Sequence, residues 1–157
     1  VIIAKADAED EAWAGDLLGP VGTRAEGEFL RLAKGRGLVA EYCASRRMAH
    51  DAVVNGLRVQ VKHRTCRSTR LVQLCKTRRP SAPQLAYYRD EFDILALQCD
   101  GVWYLIEASA LVAADGDTLI NNLHPPDYAD YIDNWGVFSG GGQSPRRRQM
   151  VFEFAEP

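Results

Sequence analysis

Asp51, Gln60 and Lys62 sit close together in the stretch HDAVVNGLRVQVKHR, residues 50–64. A carboxylate, an amide oxygen and an ammonium form a coherent chemical set if the fold gathers them. Two oxygen donors, with water and a phosphate completing the shell, suit Mg2+ (or Mn2+), hard cations that accept few protein ligands. Such an ion polarises a phosphoryl oxygen and acidifies bound water. A lysine beside it either orients or deprotonates an attacking water, or stabilises charge on the phosphate.

Whether the three residues meet depends on the turn between them. Asn55-Gly56 is a favoured two-residue hairpin turn, because both central positions require positive φ. In a type I′ register Val54 faces Leu57, and stepping outward sets Asp51 opposite Gln60. Strand side chains alternate faces, so Arg58, Gln60 and Lys62 share the face of Asp51. Ala52, Val54, Leu57, Val59 and Val61 point the other way, towards a core. Directly opposite Cβ atoms lie about 4.5–5.5 Å apart, which places the three polar groups in one cluster. The bland alternative is a surface hairpin face with a weak Asp51–Lys62 ion pair. His63 points to the opposite face and is not expected in the site.

The flanking elements follow from periodicity and turn residues. Residues 6–18 read as a short helix ended by Gly19-Pro20. Residues 22–35 read as a second helix with Ala25, Phe29, Leu32 and Ala33 on one face. Residues 38–43 suit a strand, and residues 71–76 a further strand of the hairpin's meander. A short helix is expected over 84–89. FDILALQ, residues 92–98, is a strong buried-strand signal, and Asp100-Gly101 turns it into a strand over 102–106. A helical turn is expected over 108–113. Residues 124–142, rich in Pro, Gly, Asp and aromatics, read as irregular, and 149–154 as an edge strand. This order predicts an α/β fold, a mixed central β-sheet flanked by helices.

The 157 residues suit a single domain. No apolar run reaches membrane-spanning length, so no membrane partner is expected. Cys43, Cys66, Cys75 and Cys99 have no CxxC spacing, which argues against structural zinc and for buried free thiols in a reducing compartment. Net charge is −2, yet Arg58, Lys62, Arg64, Arg67, Arg70, Lys76, Arg78 and Arg79 follow one another with no acid among them. Arg146-Arg147-Arg148 forms a second basic knot. These runs either follow a phosphate backbone or form solvated faces that balance the acids elsewhere.

Asp51, the hairpin and RVQVKHR together resemble the PD-(D/E)xK nuclease superfamily, in the branch where Gln replaces the usual acid of the strand motif. GEFLRLAKGRGLVAEY resembles that superfamily's "GE" helix, glycine and strand, and YYRDEFDILALQCDGVWYLIEASAL resembles its later hairpin. The likeness covers a core of about residues 22–111, leaving the N-terminal helix and the C-terminal segment outside. His50 stands where the superfamily has proline.

The resemblance implies a restriction-endonuclease-like core and metal-dependent hydrolysis of DNA phosphodiesters. Its helical acid maps to Glu28, with Glu26 the alternative, its aspartate to Asp51, its third metal-side residue to Gln60 and its lysine to Lys62. Metal ligands are then Glu28, Asp51 and Gln60. The Gln variant is similar to group I intron homing endonucleases. Double-stranded DNA is the implied partner, held by Arg58, Arg64, Arg67, Arg70, Lys76, Arg78, Arg79 and Arg146–Arg148. Cutting both strands requires two sites, hence a homodimer or homotetramer. A cytoplasmic, intracellular setting in a prokaryote, phage or organelle is expected. A junction-resolving nuclease and a non-cleaving DNA-binding protein on the same fold are the alternatives.

Overall fold

The computed structural model describes residues 20–43, 49–64, 71–74, 76 and 85–139. Helix α1 (Pro20–Gly35) buries Ala25, Phe29 and Ala33, a stripe at i, i+4 and i+8. Gly37 ends it at φ 79°, and the Leu38 N–H reaches back to the Ala33 carbonyl at 3.1 Å. The strands are β1 (Ala40–Tyr42), β2 (Ala52–Val54), β3 (Leu57–Arg64), β4 (Val72–Gln73), β5 (Ile94–Cys99), β6 (Val102–Glu107) and β7 (Asn122–Leu123).

Five strands form one mixed sheet in the order β1-β2-β3-β5-β6. Only the β3–β5 pair in it is parallel, with Gln60 beside Leu95 and Lys62 beside Leu97. The expected α/β class and mixed central sheet are therefore present. Both hairpin turns also form as their sequences require. Asn55 and Gly56 have φ 48° and 81°, and Asp100 and Gly101 have φ 51° and 81°.

Both faces of the sheet are covered. On one, α1 packs through Phe29 against Val59, Val61, Ala96, Trp103 and Leu105. On the other, Leu95, Leu97 and Ile106 meet Tyr87, Phe92, Leu111, Leu119 and Tyr131. This two-sided burial explains the unbroken apolar run of β5, whose six residues are all buried.

Three expectations need correction. The segment 71–76 does not extend the meander. Its described part, β4, pairs with β7 in a separate two-stranded sheet, because β5 occupies the free side of β3. Of the helix expected over 84–89, the described residues 85–87 have no regular structure and Tyr88 forms a bridge with Thr118. Their backbone is used elsewhere: the Tyr87 carbonyl accepts from Leu119 N–H at 2.8 Å, and Arg89 N–H donates to Asp117 at 2.9 Å. Residues 124–139 are not irregular. They form 3-10 helices over Pro125–Tyr131 and Trp135–Ser139 that bury Tyr128, Tyr131, Trp135 and Phe138. The core thus extends well past residue 111. The Asp133 N–H also bonds the Trp103 carbonyl at 2.9 Å, capping the outer edge of β6.

Cys43 is a free thiol, whereas Cys99, at the end of β5, is disulfide-bonded, so the free-thiol expectation fails there. Separation along the chain says little about which thiols meet in space. Cys66 and Cys75 lie outside the described residues, as do the expected helix over 6–18 and the strand over 149–154. Among the described residues, no helix is long and apolar enough to cross a membrane.

Asn55 does more than turn the hairpin. Its Oδ1 accepts the Val39 N–H at 2.9 Å and its Nδ2 donates to the Phe138 carbonyl at 3.1 Å. Asn55→Ala loses both bonds and places a Cβ-bearing residue without compensation at positive φ. We expect it to destabilise the fold by about 2 kcal/mol. The check is a lower urea midpoint at unchanged m-value.

Candidate active site

The site forms where β2 stops and β3 continues. Ala52 is the last residue in register, opposite Val59. Asp51 does not move on to face Gln60. Its N–H donates to the Val59 carbonyl at 2.8 Å, so Asp51 is an extra residue at the ladder's end, in the manner of a β-bulge. Its carbonyl accepts the Cys43 N–H at 2.8 Å, which pins the peptide from the β1 side as well. The carboxylate then takes the place of the missing strand, and Oδ2 accepts the Val61 N–H at 2.9 Å.

Val61 lies between the other two candidates. Gln60 and Lys62 point away from α1, on the face shared by Leu95 and Leu97. That face is roofed rather than solvated, and the two side chains are only 6% and 4% exposed. The Lys62 ammonium stands 5.1 Å from the centre of the Tyr87 ring, a cation–π geometry that offsets part of its desolvation. The Gln60 Nε2 lies 3.4 Å from the Val61 carbonyl, a long and weak contact. A solvated hairpin face, the bland alternative, does not describe these residues.

Of the two helix glutamates, Glu26 lies on the Tyr42 side of α1 and Glu28 on the Gln98 side. Glu26 is 4% exposed and accepts a hydrogen bond from the Tyr42 hydroxyl. Burial, then the Glu26 carboxylate, then Asp51 push the Tyr42 phenol far above its ordinary range, so it keeps its proton and acts as a donor. Tyr42 is thus bonded to one carboxylate, Glu26, and feels the charge of a second, Asp51. Glu28 lies on the other flank of α1, where its Oε2 accepts from Gln98 Nε2 at 2.8 Å. The reason is helical phase. At 100° per residue, positions 26 and 28 fall on opposite sides of the Ala25–Phe29–Ala33 stripe.

Among the described residues, no three His, Cys, Asp or Glu side chains gather as a metal cluster. The donor set instead comprises two carboxylates, Glu26 and Asp51, with the Gln60 amide on the neighbouring position of β3. All are hard oxygen donors of the kind Mg2+ takes in small number. By donor type alone these residues suit a divalent cation. Tyr42 is the member of the cluster that sequence reasoning missed. Its only sequence signal is its place in the strand after the "GE" helix.

The chain shares its fold with a bacterial homing endonuclease. That protein, I-Ssp6803I, is 19% identical, and the match covers 74% of this chain and 88% of that one at a TM-score of 0.56. No protein-family model matches the chain, and no curated protein matches it.

The basic residues divide. Arg58 forms a fork on Asp93, with Nε–Oδ2 and NH2–Oδ1 both at 3.2 Å, and its N–H adds a bond to Oδ2 at 2.8 Å. That fork matches its charge and ties β3 to the start of β5. Lys76 likewise pairs with Glu91 and stands 5.0 Å from the Tyr88 ring centre. Arg64 NH1 donates to the His63 carbonyl at 2.7 Å. Arg67, Arg70, Arg78, Arg79 and Arg146–Arg148 lie outside the described residues.

His50 packs near the Arg58–Asp93 pair. Burial first, and then the Arg58 charge, hold its imidazole below the ordinary value of 6.5, against the opposing pull of Asp93. For Asp93, burial raises the carboxyl, but the Arg58 hydrogen bonds and charge outweigh it and leave it below 3.8. A folded-state value below the unfolded one means the unfolded chain binds more protons across that interval, so stability rises with pH there. We expect stability to fall first as pH drops below 6.5, through His50, and again below 3.8, through Asp93. Urea melts from about pH 2 to pH 7 check this, and His50→Gln should flatten the upper step only.

Proposed function

We propose that the chain is a divalent-metal-dependent DNA endonuclease, of the site-specific homing kind, in the Gln branch of the PD-(D/E)xK nucleases. The observation that carries this is the Asp51 carboxylate seated on the Val61 N–H, between Gln60 and Lys62, on a nuclease fold. Glu26, Asp51 and Gln60 would hold Mg2+ (or Mn2+). When bound, that ion supplies Lewis-acid polarisation of the scissile phosphoryl group.

The chain's own groups do the rest. The bonds from Asp51 to Val61, Val59 and Cys43 leave its carboxylate little freedom. Tyr42 donates to Glu26 and holds it at the cluster. Gln60 is neutral, so cation affinity leans on Glu26 and Asp51. Lys62, shielded from water, supplies positive charge to the pentavalent phosphate, where a fixed charge in a dry site acts most strongly. Double-stranded DNA is the proposed substrate. Arg64, Arg67, Arg70, Arg78, Arg79 and Arg146–Arg148 carry its backbone, and a homodimer or homotetramer in the cytoplasm cuts both strands.

Supercoiled, linear and four-way-junction DNA incubated with Mg2+ test this. Cleavage at a long defined site supports homing, a short palindrome points to restriction, and selective junction cutting to resolution. We expect Asp51→Ala and Lys62→Ala each to lower the cleavage rate by about 100-fold or more while DNA binding persists. Glu26→Gln should raise the Mg2+ concentration needed by about 10-fold or more. Binding with no cleavage by the wild type would reduce the protein to a DNA-binding module on a nuclease fold.

A further inference from the structure

β5 is apolar except for one residue. Gln98 is 8% exposed and lies on the α1 face of the sheet, beside His63 in the parallel register. Both ends of its amide are used. Nε2 donates to Glu28 Oε2 at 2.8 Å, and Oε1 lies 2.8 Å from His63 Nδ1. The direction of the chain is forced. The Glu28 carboxylate only accepts, so the Gln98 amino group must face it. The Gln98 oxygen then faces His63, whose Nδ1 must carry a proton. His63 thereby locks the amide orientation that Glu28 needs. A buried glutamine costs free energy unless satisfied, and here it is satisfied only while α1 keeps its present rotation.

On the opposite flank of α1, Glu26 is bonded to Tyr42. The helix is thus held on two sides by polar contacts, to β5 through Glu28 and to β1 through Glu26. The apolar stripe between them consists of Ala25, Phe29 and Ala33; the Phe29 ring, packed on Trp103, Trp135 and Phe138, anchors the helix at one point, and the polar contacts hold its two flanks. We propose that Glu28, Gln98 and His63 are positioning residues. They clamp the rotation of α1 so that Glu26 stands beside Asp51, without themselves touching substrate or cation. The inference rests on the reading of Glu26 and Asp51 as cation ligands, and it gives Glu28 a role different from the ligand role its sequence context implies.

Glu28 is the discriminating position. Glu28→Gln preserves an acceptor facing Gln98 and removes the charge. Glu28→Leu removes both, and Gln98→Met removes the link from the other end. Mn2+ affinity of the full chain is read by electron paramagnetic resonance, with thermal unfolding as the control for folding. The clamp predicts wild-type affinity within about 2-fold for Glu28→Gln, and losses of about 10-fold or more for Glu28→Leu and Gln98→Met, the scale of losing an outer-shell partner. Equal loss in Glu28→Gln and Glu28→Leu would make Glu28 a ligand and overturn the clamp. So would unchanged affinity in Gln98→Met.

A second readout needs no metal. The 13C carboxyl signal of Glu26 should move in Gln98→Met and Glu28→Leu and stay in place in Glu28→Gln. If the wild type binds no Mn2+, the ligand reading fails, and this signal still decides the clamp. A Glu26 signal indifferent to all three variants sinks it. Should Gln98→Met fail to fold, Glu28→Leu, on a half-buried helix flank, carries the comparison.

Discussion

One backbone N–H organises this site. β2 stops at Ala52 while β3 runs on, so the Val61 N–H faces a position that no strand fills. An unmet N–H beside a buried residue is costly, and the Asp51 carboxylate meets it at 2.9 Å. That bond fixes the carboxylate in the plane of the sheet. Tyr42 and Glu26 approach from the helix side, while Gln60 and Lys62 lie on the other face. A longer β2 would pair Val61 with backbone and release the acid. The short strand and the acid that precedes it are therefore one structural device.

The second constraint is that β3 is buried on both faces. In a half-solvated hairpin, alternation would send Gln60 and Lys62 to water. Here the layer carrying Tyr87, Phe92 and Leu111 roofs them over. Buried polar groups need compensation from within the fold or from a ligand. Lys62 finds part of it on the Tyr87 ring. The same logic separates the two ionic clusters. Arg58 and Asp93 neutralise each other where β3 and β5 begin, and the carboxylates Glu26 and Asp51 gather where β2 gives out.

Much of the local architecture was legible. Asn55-Gly56 and Asp100-Gly101 encode their turns in residues that tolerate positive φ, and both turns form. The FDILALQ run declared a strand covered on both sides, and β5 is such a strand. Asp51, Gln60 and Lys62 were legible as a group because hairpin register is local. The bulge at Asp51 was not, because it depends on where β2 stops. Residues 124–139 misled because their Pro, Gly and Asp content signals loops, while their aromatic side chains supply core to both faces. Aromatics without helical or strand periodicity leave no one-dimensional trace of what they cover.

The sequence by itself determined the five strands of the main sheet, their two tight turns and the alternation that sets Gln60 and Lys62 apart from Val59 and Val61. These are properties of neighbouring residues, governed by φ preference and side-chain period. Only the tertiary structure decided that β3 pairs in parallel with β5, that Asp51 leaves the ladder to hold Val61, and that Glu26 rather than Glu28 meets Tyr42. Each of those depends on the rotation and placement of elements distant along the chain. Helical phase relative to a sheet is set by what packs on both flanks of the helix, and no local pattern records it.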